Sequence, residues 1–333
     1  MKSKEMINLK LGIFSAMWYN VPFDKALKII SDLGFEAIEL PAQKDNPHLD
    51  IDAILESDAK RDEFLAKMEK YELTISGLSN HVESQLVLGP HNKGTEWMYK
   101  GDKPPTPENM SRWGMERVKK TAQAAKKLGV PVVNGFCGVK EFDRFFPFPS
   151  DKPWDEMGEE FAEKWDEILD VFSDLDLKYG MEPHPNEFVY NLETAQQSIE
   201  LLNGRKEWGF NLDPANLIWQ DIDPVYFIKE FGDRIYHFHA KDCEVLEHNV
   251  RWTGRLSKGE WTSQDRGFRF RIPGWGDVPW KRVLTELRMV DYDYVLSIEY
   301  EDPTMSQEDG IHKAVDFIKP LIINKPFGGK VWI

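Results

Sequence analysis

Eight short apolar runs, rich in β-branched residues, alternate along this chain with eight longer stretches of helical period, and that alternation leaves few folds open. The runs fall near 9–17, 36–41, 73–79, 131–136, 180–183, 209–213, 234–239 and 295–300. The helical stretches fall near 22–33, 58–71, 106–128, 154–179, 192–203, 223–231, 279–290 and 306–322. Strand–helix repetition of this kind builds parallel βαβ units. Helix punctuation agrees with it. Pro22 with Asp24, Thr106-Pro107-Glu108 and Asp223-Pro224 supply capping or first-turn residues, while Gly34, Gly129 and Gly180 stand where helices should end. An open doubly wound sheet is the competing arrangement, but no GxGxxG or GxxxxGK[ST] follows a strand. The expected fold is α/β: a single (β/α)8 TIM barrel over residues 1–333, a length such barrels accommodate as one domain.

Two connections are too long for turns. Residues 81–105 follow the third strand and 240–278 the seventh, and a barrel would place both on the face where its strands end, the active-site face. A net charge of −15 repels phosphate backbones and anionic lipid, so nucleic acid and membranes are poor partners. The two cysteines, Cys137 and Cys243, form no CxxC and fit a reducing compartment. The opening MKSKEMINLKLGIFSAMW lacks the apolar stretch of a signal peptide, and no run approaches the ~20 apolar residues of a membrane span. A cytoplasmic protein is the expectation.

Chemistry enters where polar residues interrupt the strands. Glu182 (GMEPHP), Asp213 (NLDPAN), His239 (HFHAKD) and Glu299 (SIEYED) end the fifth to eighth strands. Singly, a carboxylate at a strand end is commonly a helix cap or a salt-bridge partner. A barrel, however, gathers successive strand ends into one ring, and three carboxylates facing a common centre repel unless a cation joins them. Glu182, Asp213, His239 and Glu299 are therefore expected to hold a divalent metal. The oxygen-rich set favours Mn²⁺, with Mg²⁺, Co²⁺ or Zn²⁺ as alternatives.

A metal chelated by a carbonyl and an adjacent hydroxyl acidifies the neighbouring C–H, and Glu182 or Glu299 can remove that proton and return one. His81 (SNHVE) and His184 can bind a hydroxyl, act as a further base, or orient a carboxylate. Of His237 and His239, which alternation puts on one strand face, His239 is the expected ligand because it stands nearer the strand end. Trp18, Asn216, Lys241 and Arg271 are candidates for substrate binding; Glu39 is a further hydrogen-bonding candidate, whereas Asn134 and Gly138 leave space. Residues Arg251, Trp252, Arg255, Trp261, Arg266, Phe268, Arg269 and Arg271 interleave base and ring, and would either clamp an anion or aromatic ring or fasten the loop to the rim. Among the twelve tryptophans, Trp18, Trp97, Trp219 and Trp252 fall near strand ends or loops, where they stack on sugars or fill core.

The segments ELPA, EPHP, NLDPAN, HFHAKD, PGWGDVPW and SIEYEDP resemble the xylose isomerase-like barrel superfamily, over nearly the whole chain and in the same order. The superfamily includes sugar isomerases, ketose 3-epimerases, inosose dehydratases and apurinic-site endonucleases. The resemblance implies a metal on Glu182, Asp213, His239 and Glu299, with both glutamates moving protons, and hence a sugar or keto-sugar isomerase or epimerase. SNHVESQLV, the basic-aromatic loop, PGWGDVPW and SIEYEDP are also similar to catalytic subunits of C-glycoside deglycosidases. That likeness implies a lyase that cleaves 3-oxo-glucosides by elimination, working with a small β subunit; otherwise a homo-oligomer is expected. The apurinic-site endonucleases need extra histidines, yet Asn216 stands where one would follow Asp213, and HFHAKD is not followed by DxH.

Overall fold

The computed structural model describes residues 9–145 and 152–323. The C-terminal NKPFGGKVWI, an apolar-ended tail that could cover a subunit or barrel surface, lies outside them. Among the described residues ten strands run in chain order: β1 Lys10–Phe14, β2 Ala37–Pro41, β3 Thr74–Ser79, β4 Val132–Gly135, β5 Lys178–Met181, β6 Trp208–Leu212, β7 Ile235–Ala240, β8 Asp242–Val245, β9 Phe268–Arg271 and β10 Val295–Ile298. Eight of them close a parallel barrel in the order β1-β10-β7-β6-β5-β4-β3-β2, and β8 and β9 pair antiparallel outside it. Closure leaves the barrel strands no unpaired edge. This is the (β/α)8 barrel that the strand–helix alternation implies.

Helix starts follow the capping residues. Thr106 accepts from the Asn109 amide ahead of helix Pro107–Leu128, and Asp223 accepts from Val225 N ahead of Pro224–Phe231. Gly129 ends its helix in the left-handed region at φ 71°. Gly180 does not end one. Helix Pro153–Leu175 stops earlier, at Asp176, which takes φ 53°, and Gly180 lies inside β5. A carboxylate side chain that tolerates the left-handed region does the work expected of the glycine.

The glycine has a different task. A Cβ on Gly180 would lie 2.5 Å from Asn134 Oδ1 and 3.4 Å from Asn211 Cβ, and one on Gly77 would lie 2.9 Å from Asn134 Nδ2. Glycines on two strands thus clear room for amide side chains inside the barrel. Outside it, helix Pro153–Leu175 packs large aromatics onto β5 and β6: Trp165 meets Trp208 at 5.0 Å and Tyr179 at 4.6 Å between ring centroids. Trp208 also donates through Nε1 to Ser198 Oγ. Much of the tryptophan content is core.

The 240–278 connection is an ordered subdomain in which strands β8 and β9 flank helix Glu247–Thr253. Asp242 latches its two ends, its Oδ1 accepting from Cys243 N and Val278 N and its Oδ2 from Gly274 N and Trp280 Nε1. The loop's basic residues are largely spent on holding it. Arg271 clamps Glu244 and Asp302, Arg255 pairs with Asp221, and Arg266 stacks on Trp261 and Phe268. Among the described residues, no helix is long and apolar enough to cross a membrane.

Because the Gly180 Cβ would collide with a buried amide, Gly180→Ala should cost about 1–3 kcal/mol. The expected result is a lower urea midpoint at unchanged slope; an unmoved midpoint would contradict this role for the glycine.

Candidate active site

The strand ends β1, β2, β3, β4, β5, β7 and β10 open onto one cavity of about 400 Å³. Its chemistry-bearing walls are His81, Glu182, His184, Lys241, Glu299 and Glu301. Phe14, Phe136, Phe270 and Trp261 line it as well, the last two contributed by the 240–278 subdomain. Larger surface grooves exist, but the linings of these two include none of the strand-end residues singled out above.

Three of the four expected metal ligands converge. His239 Nδ1 lies 3.0 Å from Glu182 Oε2 and 3.2 Å from Glu299 Oε2. Glu182 and Glu299 follow β5 and β10, and in the barrel order β6 and β7 stand between those strands, so the two carboxylates reach the imidazole from different sides. Asp213 is placed differently. Its Oδ1 caps the short helix Pro214–Ile218 by accepting from Ala215 N at 2.9 Å, and its Oδ2 lies 2.8 Å from Lys241 Nζ, an ion-pair contact without hydrogen-bond alignment. Lys241 also reaches Glu299 Oε2 at 2.8 Å and Glu301 Oε2 at 3.0 Å. One ammonium, only 3% exposed, thereby serves three carboxylates while lining the cavity, where a substrate-binding role was expected of it.

The protonation states follow from these contacts. Burial alone would raise the Glu182 carboxyl, but His239 and His81 hold it well below the usual carboxylate range. Burial likewise opposes ionisation of Glu299, yet Lys241 and His239 bring it down to about 2. Asp213 goes the other way: burial, with Glu182 and Glu299 nearby, outweighs Lys241 and pushes it up to about 7. Burial opposes charge on His239 and Lys241, but the surrounding carboxylates keep both well above their ordinary values. Two ionised glutamates thus share the protonated His239 and Lys241, and a divalent ion would enter this cluster by replacing the proton on His239 Nδ1.

The donor set fits a divalent ion. Among the described residues, two groups bring three metal-capable side chains with ligand atoms within 4.8 Å: Glu182–His239–Glu299 and Glu39–His237–His239. Asp213 belongs to neither. The second group is a hydrogen-bond network. His237 Nδ1 meets Asn211 Oδ1 at 3.0 Å, and Asn211 Nδ2 donates to Glu182 Oε2, so the amide oxygen faces His237 and receives its Nδ1–H. Burial lowers His237 to about 4, which keeps the ring neutral. Oxygen and nitrogen ligands at the first group suit Mn²⁺, Zn²⁺ or Co²⁺.

The remaining expected residues divide into two sets. His81 links Ser79 Oγ at 2.6 Å to Glu182 Oε2 at 3.0 Å, a hydroxyl–imidazole–carboxylate chain. His184 places Nδ1 2.5 Å from the Pro185 carbonyl, so that nitrogen carries the proton and Nε2 is the acceptor of a cavity-lining ring, lowered by burial. Trp18, Asn216 and Arg271 do not line the cavity. Trp18 is buried core. Asn216 Nδ2 donates to Glu182 Oε1 at 2.9 Å and so orients a carboxylate, and Arg271 is committed to Glu244 and Asp302. Of the other tryptophans, Trp219 stacks on Phe268 at 4.5 Å, and Trp97 and Trp252 are exposed away from the cavity. Sequence reasoning missed Glu301, although its spacing of two from Glu299 was a usable signal. It also read Asn134 as space, whereas Asn134 Nδ2 donates to Glu39 Oε1 at 2.8 Å.

The xylose isomerase-like TIM barrel family matches residues 27–321 of the chain. An uncharacterized Bacillus subtilis protein, YfiH, is 27% identical over 324 residues, spanning 94% of this chain and 99% of its own length. Fructoselysine 3-epimerase of Escherichia coli O157:H7 is 22% identical over 266 residues, 78% of this chain and 87% of its own. Among solved structures, the 3-keto-D-glucoside 4-epimerase of E. coli superposes with a TM-score of 0.61 at 14% identity, covering 94% of this chain and 100% of its own. The IOLI protein, solved with a bound zinc atom, gives 0.62 at 18% identity, covering 94% and 99%.

The neutral His237 generates a pH signature. The unfolded chain takes up its proton below about 6.5 and the folded chain resists until about 4. This stability is complete above 6.5 and fades as pH falls toward 4, by up to about 3 kcal/mol at ~1.4 kcal/mol for each pH unit. Urea unfolding at pH 7 and pH 4.5 should show the wild type losing more on acidification than His237→Gln; equal losses would contradict it.

Proposed function

Since this chain belongs to the xylose isomerase-like TIM barrel family, we propose that it is a divalent-metal-dependent sugar isomerase or epimerase working by proton abstraction next to a carbonyl. The observation that carries the proposal is the single cavity shared by Glu182, Glu299, His81, His184 and Lys241. The epimerases among its relatives and structural neighbours support the sugar class. A divalent ion held by Glu182, His239 and Glu299, with Asp213 one ammonium away, would polarise a substrate carbonyl and an adjacent hydroxyl. Mn²⁺ remains the favoured ion on the donor set.

The chain's own residues supply the proton chemistry. Glu182 and Glu299 are both ionised, so either carboxylate can accept the proton α to the carbonyl and the other can deliver one to the enediolate from another side. Return to the same carbon from the opposite side gives epimerisation; return to the neighbouring carbon gives isomerisation. His81 donates to Glu182 Oε2 and holds that carboxylate in place. His184 offers its Nε2 lone pair as a further base or hydroxyl acceptor. Lys241 keeps positive charge beside developing oxyanion charge. Phe14, Phe136, Phe270 and Trp261 exclude water and give sugar C–H faces a surface to pack on.

A second reading draws on Trp261 and Phe270. Aromatic walls brought in by the 240–278 subdomain suit an aryl glycoside, and the same enolate would expel an aglycone β to the carbonyl of a 3-oxo-glucoside. The chain would then be a C-glycoside deglycosidase catalytic subunit with a small β-subunit partner, and otherwise a homo-oligomer. A cytoplasmic location fits both.

Chelation should abolish turnover and Mn²⁺ should restore it. In D₂O with a panel of ketoses and keto-glycosides, NMR should show exchange of the α proton; Glu182→Gln or Glu299→Gln should slow it about 10²–10⁴-fold at a near-native melting temperature. Full activity in both variants would overturn their roles, and consumption of oxidised aryl glucosides alone would favour the second reading.

A further inference from the structure

Resting on the reading that a divalent cation sits among Glu182, His239 and Glu299, we propose that Glu39 is the positioning residue for that site, holding His239 in the one tautomer and orientation that turns Nδ1 toward the cation. Nothing in the cavity wall includes Glu39. It lies beneath the cavity on β2, fully buried, and its register neighbours are Phe14 and Gly77. All its partners face the barrel interior. Oε1 accepts from Asn134 Nδ2 at 2.8 Å, and Oε2 accepts from Ser297 Oγ at 3.2 Å and from His239 Nε2 at 2.8 Å.

Accounting for the protons removes the ambiguity between the two histidines. His237 is 3.7 Å from Glu39 Oε2, but its one proton is committed through Nδ1 to Asn211 Oδ1. His237 Nε2 is then an acceptor, facing Ser76 Oγ at 3.4 Å, and has nothing to donate to a carboxylate. The short contact to Glu39 is therefore made by His239 Nε2–H. In this structure Nδ1–H points at the Glu182 and Glu299 carboxylates, and because Glu39 keeps the Nε2 proton, Nδ1 is the nitrogen left to offer its lone pair when a cation takes that proton's place. Phe14 stacks on the same ring, with centroids 5.7 Å apart and planes 22° apart, which blocks rotation about its axis.

The structure goes to some length to keep Glu39 there. Asn134 and Ser297 come from β4 and β10, on different sides of the barrel, and Gly77 and Gly180 leave Asn134 its room. A carboxylate buried this deeply is costly unless its charge is used, and a purely structural site would more simply carry an apolar side chain. Carboxylate–histidine–metal relays raise the basicity of the ligating nitrogen, and losing the carboxylate commonly costs 10–100-fold in metal affinity.

The test uses the full chain. Titration calorimetry with Mn²⁺ on the wild type and on Glu39→Gln should give about a 10–100-fold weaker Kd for the variant, since glutamine keeps the shape and removes the charge. In the zinc-loaded wild type carrying ¹⁵N-histidine, NMR should report His239 with a protonated, strongly hydrogen-bonded Nε2 and a metal-bound Nδ1; this measurement stands if the variant does not fold. Equal Mn²⁺ affinity in a folded variant, or zinc on Nε2 with the proton on Nδ1, overturns the role of Glu39 while leaving the cation site intact. A wild type that binds no Mn²⁺ overturns the cation reading itself, and this inference with it.

Discussion

His239 is the group on which the interior of this barrel depends. One imidazole, fully buried, touches Glu39 through one nitrogen and Glu182 and Glu299 through the other. Remove it, and three carboxylates face one another in a low-dielectric interior without their shared partner, a cost of about 3–5 kcal/mol. The polar layer around it makes sense only in this light. Asn211, Asn134, Asn216, Ser297 and His81 each donate to one of those three acids, so that almost every lone pair has a defined partner. Satisfied networks of this type rigidify a site and fix its geometry.

Lys241 solves the same problem one step nearer the rim. Its ammonium has three protons and three carboxylate neighbours, Asp213, Glu299 and Glu301. Glu299 belongs to both groups, so the imidazole and the ammonium are linked through a single carboxylate. The aromatic lining above them, from β1, β4 and the 240–278 subdomain, lowers the dielectric in which these charges act. The subdomain is stapled down by Asp242 and by arginine pairs, so Trp261 and Phe270 reach the cavity from a fixed platform.

Most of the architecture was legible in the sequence because barrel strands and helices differ in period, and because threonine, aspartate, proline and glycine mark the helix ends. The strand-end residues were legible for the same reason: a carboxylate or histidine that closes an apolar run has few places to go except the rim. The unread parts were of two physical kinds. Contacts between strands remote in sequence, such as Glu39 with His239, 200 positions apart, leave no local pattern. Secondary structure inside the 240–278 connection was obscured by its charge and by Gly254, Gly259 and Gly267, which read as loop. Asp213 shows a third limit. Its position at a strand end was plain, but a side chain there can cap a helix, meet an ammonium or join a cluster, and only the fold places its oxygen beside Lys241.

The most direct measurement is anomalous diffraction from a crystal soaked in Mn²⁺. The account predicts one strong peak bounded by Glu182, His239 Nδ1 and Glu299, with His239 Nε2 still against Glu39. A Mn²⁺ peak only at exposed acidic groups, with His239 bound to its three carboxylates alone, would contradict it.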